Sequence, residues 1–259
     1  MIPLDETNVM GVPTVPLLTD VIASFLQIVR GAWERLVRQG PLAPSGKYAE
    51  RTITDRLMPM LLAEKEARLG LRSWPRIEDQ AATRSQLDAP KPEGAIDFKI
   101  IFSADEREYF GLECKRVGAS DKDLARHYLD DGVQRYVDGK YGPGHMWGAL
   151  LAIVVDADLP AAARSIEDWL KRRKATCAWQ GDWALETCFG PLPDVYRSRH
   201  VQSGQSAPMG LLHLFIILNV SPTCQPQATQ SARPPQTPTQ LSLFGEPERQ
   251  RRRRRRGVE

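Results

Sequence analysis

The sequence predicts an α/β domain preceded by a helix and followed by a disordered tail, and three observations carry that prediction. The first is the order of periodicities: helical spacing to about residue 69, short β-like runs up to 117, a helix from Ser120, a strand at 147–155, a helix from Leu159 and a last strand at 211–220. Strands that alternate with helices in this way build a sheet covered by helices. The second is Trp147-Gly-Ala-Leu-Leu-Ala-Ile-Val-Val155, a continuous apolar run of the kind that is buried on both faces at the centre of a sheet. The third is a stretch rich in Pro, Gln, Thr and Ser over 221–239, with too few apolar residues to fold. The expected organisation is an N-terminal helical elaboration at 1–44, a domain at 45–220 and a disordered tail at 221–259.

Taken in order, Leu18, Val21, Ile22, Phe25, Leu26, Val29, Trp33, Leu36 and Val37 recur at helical spacing from Leu17 to about Arg38, and Gly40-Pro41 closes that helix. Asp20, Gln27, Arg30 and Glu34 argue for core packing over membrane insertion. A second helix is expected over Ser45 to Leu69, with Pro59 kinking it and Gly70 capping it. Arg72 to Asp79 reads as an edge strand because of Pro75, and 81–94 as loop. Ser120 is the expected N-cap of the next helix, with acids in its first turn. Leu159 to Lys174 is helical with basic residues at its C-terminal end. No structure is assigned to 175–208.

Of the 35 basic and 32 acidic residues, eight arginines and three glutamates lie in 222–259, which leaves 27 and 29 in the rest of the chain. The net charge of +3 therefore says little about the folded domain, and a nucleic acid would have to be gripped by a local basic groove. No uncharged run reaches membrane-spanning length and the first residues have no signal-peptide pattern, so a cytoplasmic protein with no membrane partner is expected. Cys114, Cys177, Cys188 and Cys224 show no C-x-x-C spacing, which makes reduced thiols the expectation.

The chemistry concentrates in Asp97 and Glu113-Cys114-Lys115. Alternate residues of a strand share a face, so Glu113 and Lys115 lie side by side while Cys114 points to the other layer. The run from Asp97 is separated from them by a short polar turn, a spacing that fits a hairpin bringing Asp97 beside Glu113. Two adjacent carboxylates repel, and a divalent cation with a preference for oxygen ligands relieves that repulsion. With its strand-like flanks, Asp97…Glu113-Cys114-Lys115 resembles the PD-(D/E)XK motif of the restriction-endonuclease-like superfamily, although Ile96 stands where proline is common.

That resemblance covers roughly residues 45–156. It implies a restriction-endonuclease-like αβββαβ core, a Mg²⁺-dependent (or Mn²⁺-dependent) deoxyribonuclease acting on DNA, and a restriction-like or phage-defence role. It also implies that Asp97, Glu113 and the Cys114 carbonyl are metal ligands, and that Lys115, favoured in its neutral form, orients or deprotonates the attacking water. Glu50 looks like the glutamate that reaches the site from the preceding helix; the alternative is an ordinary surface glutamate, with Asp55 the spare candidate. Asp131-Gly-Val-Gln-Arg-Tyr136 and Gly139-Lys-Tyr-Gly142 resemble a segment that follows this motif in related nucleases. Gln134, Arg135 and Lys140 are accordingly candidate phosphate contacts or else a solvated helix face. The resemblance also admits a homodimer. The alternative from a different class is a noncatalytic adapter that binds DNA or a partner protein.

In the tail, Gln240-Leu241-Ser242-Leu243-Phe244 resembles the peptide by which bacterial repair proteins and polymerases dock on the β sliding clamp. Leu243 and Phe244 are its large apolar pair, suited to a preformed pocket, and Gln240 supplies directional hydrogen bonds. Arg251 to Arg256 form a dense positive charge that attracts polyanions without reading sequence.

Overall fold

The computed structural model describes residues 15–40, 42, 49–70, 75–83, 94–102, 109–190 and 192–218. Its centre is a seven-stranded, mostly antiparallel mixed sheet. The strands are β1 (Arg76–Thr83), β2 (Gly94–Ile101), β3 (Tyr109–Val117), β4 (Trp147–Val154), β5 (Trp179–Leu185), β6 (Val195–Val201) and β7 (Pro208–Ile217), in spatial order β1-β2-β3-β4-β7-β6-β5. Strands β3, β4 and β7 run parallel, and antiparallel pairs extend the sheet on either side. The apolar run at 147–155 is β4, the fourth strand of the seven, and its side chains divide strictly by parity. Ala149, Leu151 and Ile153 enter one core, and Leu150, Ala152 and Val154 the other. Burial on both faces is what permits an uninterrupted hydrophobic sequence there.

Helices α1 (Val15–Arg38) and α2 (Ala49–Leu69) cover one face. Ile22, Phe25, Leu26 and Val29 of α1 pack in the same core as Ile53, Leu57 and Leu61 of α2 and Phe98, Leu112 and Cys114 of the sheet. The first helix is thus part of the domain's core, and the expected division at residue 44 separates nothing structural. The two helices are also joined by a buried acid: Glu64 accepts from Arg35 Nε at 2.5 Å and from Arg68 Nε at 2.6 Å. Gly70, at φ +86°, closes α2 by donating its N–H to the Glu66 carbonyl, a left-handed cap that suits glycine. Pro59 is accommodated inside α2.

The opposite face is covered by a composite helix and by α5 (Leu159–Arg172). The composite runs from α3 (Lys122–Tyr128) through a π-helical turn (Leu129–Val133) into α4 (Gln134–Val137). The cap of α3 is Asp121, one residue beyond the expected Ser120; its Oδ1 accepts from the N–H groups of Asp123 and Leu124 at 3.0 Å each. The π turn is fitted to the strands beneath it. A Cβ on Gly132 would lie 2.6 Å from Leu150 Cδ2 and 3.5 Å from Lys115 Cγ, so the widened turn and the missing side chain together let the helix settle on β3 and β4. Tyr136, in the next turn, places its hydroxyl 2.9 Å from the carbonyls of Gly111 and Ala149 and clamps the same two strands.

Residues 175–208, to which periodicity assigns nothing, hold β5 and β6. These strands carry paired charges on one side, with Arg197 bonded to Asp182 and Glu186, and a polar chain on the other. That chain is wholly buried: Tyr128 Oη, His213, Ser198 Oγ, His200 and the Cys177 carbonyl follow one another at 2.7 Å spacings. A carbonyl only accepts, so His200 Nδ1 carries hydrogen and its Nε2 accepts from Ser198. Ser198 then accepts from His213 Nε2–H, and His213 Nδ1 accepts from Tyr128. Both imidazoles are neutral in that scheme. Burial enforces it, lowering His200 to about 4 and His213 well below the ordinary histidine range. His213 is a packed histidine, in keeping with its place in an apolar strand.

Candidate active site

Strands β2 and β3 pair antiparallel from Ile101 opposite Tyr109 to Phe98 opposite Leu112, and Asp97 and Glu113 come next along them. At this point the regular alternation of β2 fails. Ile96 and Phe98, two apart, belong to cores on opposite faces, so the backbone turns over at Asp97. Across on β1, between the pairs Asp79 with Phe98 and Ala81 with Ile96, Gln80 adopts φ 45°. Side chains replace ladder hydrogen bonds here. Asp97 Oδ2 accepts from the Cys114 N–H at 2.8 Å, Asp97 Oδ1 accepts from Gln80 Nε2 at 2.8 Å, and the Asp97 N–H donates to Glu113 Oε2 at 3.4 Å.

Glu113 and Lys115 share a face of β3, as their spacing requires, and both are buried, at 3% and 9% exposure. Charges that deep must be paired. Lys115 Nζ donates to Glu113 Oε1 at 2.6 Å, to the Cys114 carbonyl at 3.1 Å and to Glu50 Oε2 at 3.5 Å. Glu50 arrives from the first turn of α2, and its other oxygen accepts from the Arg116 N–H at 3.1 Å. Arg116 Nε, buried and without an acceptor among the described residues, stands 3.9 Å from the same oxygen. The structure therefore gathers Asp97, Glu113, Lys115, Glu50 and the Cys114 carbonyl from three elements. Asp55 is elsewhere, exposed and paired with Arg51.

The electrostatics are those of crowded acids. Burial, reinforced by the charge of Asp97 and only partly relieved by Lys115, pushes the Glu113 carboxyl up to about 7. Burial also raises Asp97 against the opposing pull of Lys115. For Lys115 the balance falls the other way. Burial alone would lower it, but Glu113, Glu50 and Asp97 together hold it above the ordinary lysine range. Three carboxylates around one amine favour its ammonium form. The Cys114 thiol lies in the opposite layer, raised well above its usual range by burial, and is inert in this role.

The expected phosphate contacts sit close by but are engaged within the protein. Gln134 Nε2 donates to Asp138 Oδ1 at 2.7 Å, Lys140 Nζ lies 4.0 Å from Asp138, and Arg135 Nη1 donates to the Tyr141 hydroxyl at 2.5 Å. Arg135 is half-buried and adds positive potential at Glu113. These three side chains form no open basic face. Gln80 is the residue that sequence reasoning misses. The expected strand stops at Asp79, one position short of it, and no sequence signal marks a glutamine that is to take a left-handed conformation in a strand.

No protein-family model matches the chain. Comparison with curated proteins gives no match, and neither does comparison with solved structures. Among the described residues no three His, Cys, Asp or Glu side chains are arranged to hold a metal ion, and no helix is long and apolar enough to cross a membrane. The tail from 221 onward, with Gln240 to Phe244 and the arginine block, lies outside the described residues.

Proposed function

We propose that this chain is a Mg²⁺-dependent, or Mn²⁺-dependent, DNA endonuclease of the restriction-endonuclease-like kind, in the setting of restriction or phage defence. The observation that carries the reading is that Asp97, Glu113, Glu50 and the Cys114 carbonyl, drawn from three elements, surround the Lys115 amine. The order α2, β1, β2, β3, composite helix, β4 supports it as well, since it follows the αβββαβ plan that the motif implies.

The donor set suits a hard divalent cation, being all oxygen and mostly anionic. In the present arrangement Lys115 Nζ stands among those oxygens and neutralises part of their charge. Asp97, Glu113, Glu50 and the Cys114 carbonyl would hold the cation, with Lys115 turned toward substrate. When bound, such a cation neutralises charge on a scissile phosphate and acidifies a water for attack. Gln80 fixes one oxygen of Asp97 and the Cys114 N–H the other, so that this carboxylate is oriented before anything binds. Lys115 orients or deprotonates the attacking water, and in its ammonium form donates hydrogen bonds to phosphate oxygen where charge builds up. The test is incubation of plasmid, linear duplex and single-stranded DNA with the protein in Mg²⁺, Mn²⁺ or EDTA. Metal-dependent strand scission is expected.

The completed Lys115–Glu113 pair favours a second reading, a noncatalytic adapter whose acids are balanced internally. Calorimetric titration with Mg²⁺ and Mn²⁺ separates the two: heat of binding that is lost in Asp97→Asn supports the nuclease, and the absence of metal uptake supports the adapter. For the tail we propose docking of Gln240 to Phe244 on a bacterial sliding clamp.

A further inference from the structure

The turn that leaves β3 leads away from Lys115 directly into a second polar feature. Ala119, Ser120 and Lys122 form one wall of a cleft of about 470 Å³, and α5 forms the other with Arg164, Ser165, Asp168, Trp169 and Arg172. On α5 the residues 164, 168 and 172 are four apart, as are 165 and 169, so two adjacent stripes of one helix face line the opening.

The charges on this surface are sorted. Neighbouring cations have carboxylate partners: Arg126 with Asp123, Lys171 with Glu167, and Arg173 with Asp130. Lys122, Arg164 and Arg172, which line the cleft, have no carboxylate partner among the described residues. The acids around the rim are committed to the backbone: Asp121 caps α3, Asp158 caps α5 through the Ala161 N–H, and Asp156 accepts from the Ala119 N–H. Asp168 alone lines the cleft as an acid, and it lies 4.0 Å from Lys171. Arg172 rests over the Trp169 ring at 5.8 Å, which limits its motion and lowers the entropy lost when it grips an anion. Arg164 and Arg172 are eight residues apart, or about 12 Å along the helix. Successive phosphates of one strand advance by about 3.4 Å along a duplex, so the row spans several of them.

We infer that this cleft binds the phosphate backbone of duplex DNA, with Lys122, Arg164 and Arg172 as its phosphate contacts, and carries the strand on from the site at Lys115. It deepens the nuclease reading and rests on it for the identity of the polyanion.

The experiment measures binding of the full chain to a fluorescein-labelled 20-base-pair duplex in EDTA, where no cleavage occurs, across a series of salt concentrations. The tail arginines are the same in every protein compared and cancel in the differences. The triple variant Lys122→Gln, Arg164→Gln, Arg172→Gln should bind at least tenfold more weakly at 100 mM salt. Its slope of log affinity against log salt should be smaller by roughly 2 to 3, near 0.9 for each phosphate that is no longer neutralised. Asp168→Asn should bind several-fold more tightly, an outcome that misfolding cannot produce. A triple variant with the parent's slope overturns the inference, as does displacement of the duplex by mononucleotide at equal phosphate concentration, which would make the cleft a nucleotide site. If the slope shifts as expected but the parent never cuts DNA, the nuclease reading fails and the cleft stands.

Discussion

Gln80 and Asp97 face each other across β1 and β2, the amide donating to the carboxylate at 2.8 Å from a backbone turned to φ 45°. A non-glycine residue in that conformation costs on the order of 1 kcal/mol, and such costs persist where the surrounding structure imposes them. Here the imposed conformation aims a donor at a carboxylate of the candidate ligand set. Gln80→Gly keeps the backbone and removes the amide. Its melting temperature should equal or exceed the parent's while cleavage slows by roughly tenfold or more, the usual effect of removing a group that orients a ligand. An unchanged cleavage rate in Gln80→Gly would leave the strain without a functional reason.

Gly132 touches both the core and the site. The Cβ of Gly132→Ala would meet Leu150 Cδ2 at 2.6 Å, so either the buried Leu150 side chain shifts or the π turn lifts from β3 and β4. Overpacking of this kind costs about 1 to 3 kcal/mol. Urea denaturation should show that loss. Where the turn lifts, cleavage measured well below the denaturation midpoint should fall too, because the covering of Lys115 moves with it; cleavage at the parent rate would mean that Leu150 alone gives way.

The buried histidine chain sets a pH dependence with a definite sign. Free histidine titrates near 6.5, whereas burial holds His200 near 4 and His213 well below its usual value. Between these values the unfolded chain binds protons that the folded chain refuses. The stabilisation is fully present above about pH 6.5 and is lost as pH falls toward 4. Between pH 7.5 and 5.5 the urea midpoint should fall less in His213→Gln than in the parent. An equal fall would mean that these imidazoles are not held neutral.

How much of this was legible in the sequence follows from which interactions are local. The apolar parity of β4, the helical stripes of α1, the Gly70 cap and the shared face of Glu113 and Lys115 all rest on period and short-range sterics. Glu50 is found through resemblance alone, since nothing in its own surroundings distinguishes it from a surface glutamate. The reversal of face at Asp97, the conformation of Gln80 and the π turn at Gly132 depend on contacts between distant segments, and no window of sequence contains them. The strands β5 and β6 escape because Gly, Asp and Arg interrupt them. Burial and a neighbouring metal lead to the expectation of a neutral Lys115, whereas the carboxylates of Glu50 and Asp97 that act on it in the opposite sense are brought to it only by the folded chain.

The clamp proposal has its own test. Docking through Gln240 to Phe244 would raise the local concentration of the domain on clamp-bound DNA. Leu243→Ala with Phe244→Ala should abolish binding to purified clamp in a biosensor measurement and leave cleavage of naked DNA at the parent rate. Clamp binding at the parent's affinity would make the pentapeptide a coincidence.

The central claim is tested most directly by single-turnover cleavage of duplex DNA in Mg²⁺ by the parent and by Asp97→Asn, Glu113→Gln and Lys115→Met. Each substitution keeps the size of the side chain and removes its charge. The account predicts metal-dependent cutting by the parent and a loss of about 100-fold or more in each variant, with folding verified by circular dichroism. Cutting by Asp97→Asn and Lys115→Met at the parent rate, or cutting by the parent that persists in EDTA, would contradict it.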